Sequence, residues 1–96
     1  MQDIIYGLVN AIIDESSFIV TVVEGKDSNK NNYKKWECIK ISNIYDSILE
    51  QYEGFIDKSK LESAIKGKKV CCSVWSRDSF GRVVADVEVI SDKKNV

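Results

Sequence analysis

Apolar and β-branched residues crowd two early runs, Ile4 to Ile13 and Phe18 to Glu24, parted by the polar cluster Asp14-Glu15-Ser16-Ser17. Such runs with turn formers between them predict an antiparallel hairpin. The next stretch, Gly25 to Asn32, holds no apolar side chain and is rich in turn residues, so a mobile surface loop is expected there. Aromatic and β-branched residues return from Tyr33 to Ile44. That segment predicts a third strand, with Ile39 and Ile41 on one face and Cys38 and Lys40 on the other.

The period then changes. Asn43 can cap a helix carrying Ile48, Leu49 and Tyr52 at helical spacing, with Gly54 suited to its end. A second helix has more signals: Asp57 as N-cap, Ile56 placed to staple onto Leu61, one face of Leu61, Ala64 and Ile65, and Gly67 as the stop. Strands over Lys68 to Ser76 and Arg82 to Ser91 close the chain, joined by a turn at Arg77 to Gly81. Residues Asp92 to Val96 are expected to fray. The pattern alone predicts one antiparallel, β-rich α+β domain over residues 1–96, and without proline every turn must use Gly, Asn, Asp or Ser.

Composition narrows the function classes. At 44% hydrophobic and 30% charged residues this is an ordinary globule with no expected membrane segment. Ninety-six residues suffice to bury only about 60–65% of the unfolded chain's surface, which leaves room for a single core. The formal net charge of −1 provides no global field for a polyanion, so any nucleic-acid site must be a local patch. The apolar N-terminus lacks a basic start and a small-residue cleavage site, and reads as a strand rather than a signal peptide. Cys38, Cys71 and Cys72 are odd in number and two are adjacent, which disfavours a disulfide framework and suggests a reducing, intracellular setting. With no histidine and no paired-cysteine spacing, neither a metal site nor a cofactor is expected.

The segment Leu61 to Val87 carries a composite motif: apolar helix positions Leu61 and Ile65, then Gly67-Lys68-Lys69-Val70, then Asp78-x-Phe80-Gly81-Arg82 and the small Ala85. This layout resembles the thermonuclease (micrococcal-nuclease-like) family, and the resemblance extends from about Gly7 to Val89. It implies an OB-fold, a five-stranded Greek-key barrel with its helix between strands three and four. In that family, acidic side chains hold a calcium ion that organises a water for attack on a phosphodiester, while two arginines stabilise the developing charge. Matched onto this chain, Ser16 and Ser42 stand where two metal-binding acids belong, Glu37 stands in place of the first arginine, and Tyr45 replaces the assisting glutamate. Only Arg82 matches. The resemblance therefore implies the frame of a nuclease without its catalytic set, although a register shift could recruit Asp14, Glu15 or Asp46.

The binding candidates that follow are Arg82, Lys34, Lys35, Lys68, Lys69, Trp75 and Tyr33. Arg82 can contact phosphate, or it can pair with Asp78 across a tight turn whose Phe80 covers one barrel end. Tyr33, Trp36, Trp75 and Phe80 can form a stacking platform for unpaired bases. Equally, Trp36 and Phe80 suit burial, whereas Trp75 is expected to face outward. The lysines at 26, 30, 34 and 35 and at 66, 68 and 69 form two local patches that also serve as solvated surface. Three functions stay open: a non-catalytic module binding single-stranded nucleic acid, a protein-binding or homo-oligomeric assembly module, and a residual calcium-dependent nuclease.

Overall fold

A computed structural model describes residues 2–42 and 57–91. The expected helix from Asn43 to Gly54, the staple residue Ile56, and the tail from Asp92 lie outside the described residues. Within them the order is β1 (Asp3–Asp14), β2 (Ser17–Gly25), β3 (Trp36–Ile41), α1 (Lys58–Ile65), β4 (Lys69–Arg77) and β5 (Val83–Ser91). The strands close into a barrel in the order β1-β2-β3-β5-β4. All pairings are antiparallel except β3 with β5.

Closure depends on β1, which pairs along its length with β2 and, over Asp3 to Leu8, also with β4. Irregularities after Tyr6, Val9 and Ile12 bend it around the barrel. They also break strict alternation, so Ile5, Val9 and Ile12 all face inward while Asn10, Ala11 and Ile13 face out. Gly7 sits at the tightest approach: a Cβ there would lie 1.9 Å from Val20 Cγ2 and 2.7 Å from the Thr21 carbonyl oxygen.

The remaining strands fill the same core with Phe18, Val20, Ile39, Ile41, Val70, Cys72, Val83, Ala85 and Val87. Leu61, Ala64 and Ile65 of α1 join it. Asp57 caps that helix by accepting from Lys60 N at 2.9 Å, and Gly67 leaves it at φ +82°. Two backbone bonds then stitch the exit to β1, Gly67 N to Val9 O at 2.9 Å and Val9 N to Lys68 O at 3.0 Å.

Two expectations from the sequence are overturned. Trp36 and Phe80 are not core residues; they are 60% and 82% exposed. On β3 the inward positions are Glu37, Ile39 and Ile41, so Trp36 falls on the outer row with Cys38 and Lys40. Phe80 lies in the β4–β5 turn, beyond the last strand pairs, where it covers no barrel end. The Gly25–Asn32 loop lies on the surface as expected and is tethered to β1. The Asn29 side-chain amide accepts from Ile4 N and donates to Ile4 O, both at 2.8 Å, mimicking a strand partner.

Candidate functional site

Two polar constellations flank the β4–β5 turn. The first forms where that turn meets the β1–β2 turn. Asp78 opens a tight loop: its carboxylate accepts from Phe80 N and Arg82 N at 2.9 Å, and its backbone N–H donates to Arg82 O. Gly81 completes the loop at φ +84°, a conformation glycine adopts without strain. Arg82 donates from Nε to Asp78 Oδ2 at 2.7 Å and from Nη1 to Ser17 Oγ at 3.2 Å, and its guanidinium lies 5.3 Å over the Phe80 ring. Arg82 thus pairs with Asp78 across the tight turn, one of the two roles the sequence offers it, and also ties that turn to the start of β2.

Beside it, Asp14 accepts from Ser16 N at 2.9 Å, and Lys40 Nζ donates to the Ser16 hydroxyl. The Ser16 amide, helped by the Ser17 hydroxyl and the charges of Lys40 and Arg82, outweighs burial and holds the Asp14 carboxyl below its ordinary range. This donor set does not fit the calcium ion that the thermonuclease resemblance implies. Calcium takes six to eight oxygens, several from carboxylates, whereas here the charges of Lys40 and Arg82 already act on Asp14, and Asp78 is engaged by the Arg82 guanidinium. Ser42 hydrogen-bonds Asp86 instead of joining the cluster. Among the described residues no three or more His, Cys, Asp or Glu side chains gather as a metal site. Burial pushes the Cys38 thiol up, and Cys72 is driven to about 12, so neither offers a ready thiolate nucleophile.

Glu37, which the resemblance sets in the first arginine's place, lies on the inner row of β3. Sharing the parity of Ile39 and Ile41, it points inward, 5% exposed, and is met by Arg77 through Nη1 to Oε1 at 3.0 Å and Nη2 to Oε2 at 3.3 Å. Burial alone would raise its pKa; Arg77 and the Lys34 amide, at 2.8 Å, reverse that and lower it.

The second constellation is an open cleft of about 680 Å³ between the β2–β3 loop and the end of β4. Gln2, Asn31, Asn32, Tyr33, Trp75 and Arg77 contribute to its lining. Its support is Asp3, buried beneath the loop. The Asp3 carboxylate accepts from Lys30 N at 2.8 Å, Asn31 N at 3.1 Å, Asn31 Nδ2 at 3.0 Å and Tyr33 OH at 2.7 Å. With the Lys30 amide foremost and Tyr33 next, these bonds bring Asp3 down to about 2. Burial and the same contact push the Tyr33 phenol up to about 12. Arg77 lies 5.9 Å from the Tyr33 ring centroid, and Trp75 stands 61% exposed on the wall, facing out as expected.

The sequence candidates therefore divide. Tyr33 and Trp75 meet at one cleft, with Lys34 and Lys35 following Tyr33 in the chain and Lys35 Nζ 5.5 Å over the Trp36 ring. Arg82 belongs to the neighbouring turn junction. Lys68 and Lys69 do not join either: Lys69 pairs with Leu8 at the far end of β4, about 20 Å of strand from Trp75, and its ammonium lies over Tyr6. Arg77, Glu37, Asp3 and the amides of Gln2, Asn31 and Asn32 are absent from the sequence candidates. One signal was available for Glu37, since extending the Ile39–Ile41 face by two residues puts a carboxylate inside. Among the described residues no helix is long and apolar enough to cross a membrane. Comparison with protein-family models, curated proteins and solved structures returns no match.

Proposed function

We propose that this chain is a non-catalytic, OB-like barrel that binds single-stranded nucleic acid through the surface around its β4–β5 turn. The carrying observation is the exposure of Trp36, Phe80 and Trp75 near cations: Trp36 under Lys35, Phe80 under Arg82, and Trp75 across the cleft from the half-buried Tyr33, whose ring lies under Arg77. Large rings left in water beside positive charge suit base stacking, which tolerates any sequence. The closed five-stranded barrel is compatible with an OB-like frame, and kinship with thermonucleases remains part of the proposal. Loss of catalysis fits a junction in which Lys40 answers the hairpin acid.

A protein-binding or assembly role is favoured by the near-neutral charge and by exposed Leu8, Ile13, Val23 and Ile90. Titrating tryptophan fluorescence with single-stranded DNA at low and high salt separates the readings. Quenching that weakens steeply with salt is expected. A flat response at both salts overturns nucleic-acid binding and leaves the protein-binding role. Chelator-sensitive cleavage of the DNA in millimolar calcium would instead establish an enzyme.

A further inference from the structure

We infer that the Tyr33–Trp75 cleft is a seat for a single unpaired base, and that the phosphates of the strand stay outside it. The inference rests on the single-strand reading above and adds what each part of the surface recognises.

Charge is the first argument. Asp3, Lys30 and Arg77 bring formal charge to the lining. Asp3 has its two oxygens engaged by the Lys30 and Asn31 amides, the Asn31 side chain and the Tyr33 hydroxyl. Arg77 looks like a phosphate clamp, but its fork is closed on Glu37, and Nη1 also donates to Gly81 O at 2.9 Å. A phosphate taking Arg77 would leave the Glu37 carboxylate buried without its cation, a costly exchange. It would also sit close to two carboxylates. The cleft therefore disfavours an anion although it contains an arginine.

Shape and hydrogen bonding are the second. The cleft is lined by the half-buried ring of Tyr33, the exposed ring of Trp75, a planar guanidinium 5.9 Å from the Tyr33 ring centroid, and the amide-bearing residues Gln2 and Asn32. Faces that stack, with edges that both donate and accept, match a planar heterocycle. Its volume of about 680 Å³ lies within the roughly 300–1,000 Å³ usual for small-molecule sites. Because Asp3 fixes the loop, Tyr33 is oriented before any ligand arrives. Lys34 and Lys35, exposed at the next positions, are placed to meet the backbone as it leaves.

Two oligomers with equal numbers of phosphates, oligothymidylate and its abasic counterpart, test the division by fluorescence anisotropy. Oligothymidylate should bind tighter by at least the roughly 5- to 150-fold that one stacked base provides. Trp75→Ala should lower that preference by roughly 5- to 150-fold, the share of one stacked base, while leaving the salt slope of binding unchanged; its exposed position makes folding safe, which a melting curve verifies. Free thymidine in the millimolar range should quench the Trp36→Phe protein, whose one remaining indole is Trp75, and ribose 5-phosphate should not. Equal binding of both oligomers, or a base preference that Trp75→Ala leaves undiminished, overturns the base seat and leaves single-strand binding standing. If thymidine quenches and neither oligomer binds at low salt, the seat stands and the single-strand reading falls. Silence from every probe overturns both.

Discussion

Glu37 and Arg77 show how one buried charge organises this end of the barrel. A carboxylate among Ile39, Ile41 and Val20 is tolerated because a guanidinium and an amide reach it from the surface. Removing the guanidinium costs more than the bond it makes, since the acid stays behind. Arg77→Ala should therefore lower stability by about 1–3 kcal/mol in urea unfolding, less than a fully buried pair would lose because the Arg77 side chain is 41% exposed. Glu37→Gln should keep part of the hydrogen bonding yet release the cation. If Arg77 then reaches a phosphate, the salt dependence of single-strand binding steepens by about 0.7 in logarithmic slope. An unchanged slope in Glu37→Gln would mean the guanidinium cannot turn toward the strand.

At the scale of elements, the legible parts were those set by local rules. Apolar and β-branched runs between turn formers marked all five strands to within a few residues, and Asp57 and Gly67 bounded α1, because composition, turns and caps act over neighbouring residues. Asp57→Ala should lose about 0.5–2 kcal/mol, as a vacated N-cap does. Tertiary proximity was not legible. The cleft draws on residues near position 2, in the low thirties and in the mid-seventies, and no local pattern joins them. Trp36 and Phe80 misled because ring size argues for burial, while strand parity and turn position decided otherwise. Gly7 is a quieter case: nothing nearby in sequence announces that Val20 and the Thr21 carbonyl fill the space a Cβ would need there. Gly7→Ala should cost about 2–3 kcal/mol or more through overpacking. Gly81→Ala meets open space and should lose only about 1 kcal/mol, from its positive φ. Thermal melts of the two variants, compared directly, check the order.

Over the whole molecule, stability should depend on pH mainly at the acid end. The carboxyls of Asp3, Asp14, Glu37 and Asp78 are all held below their ordinary values, each by hydrogen bonds that overcome the effect of burial. A depressed acid binds fewer protons folded than unfolded, so its stabilisation is complete above the unfolded pKa of about 4 and disappears as pH falls through the folded value. For Asp3 that window runs from about 4 down to about 2. The same proton that neutralises Asp3 weakens its hold on Lys30, Asn31 and Tyr33, so the cleft should loosen as the barrel weakens. Urea unfolding followed across this range should show a falling midpoint, with Trp75 emission changing in the same interval. Asp3→Asn should be less stable at neutral pH and should show a shallower acid decline, since the main titrating anchor is gone. An acid decline as steep in Asp3→Asn as in the parent would place the titration elsewhere among the depressed carboxyls and remove Asp3 as the group that pins the loop.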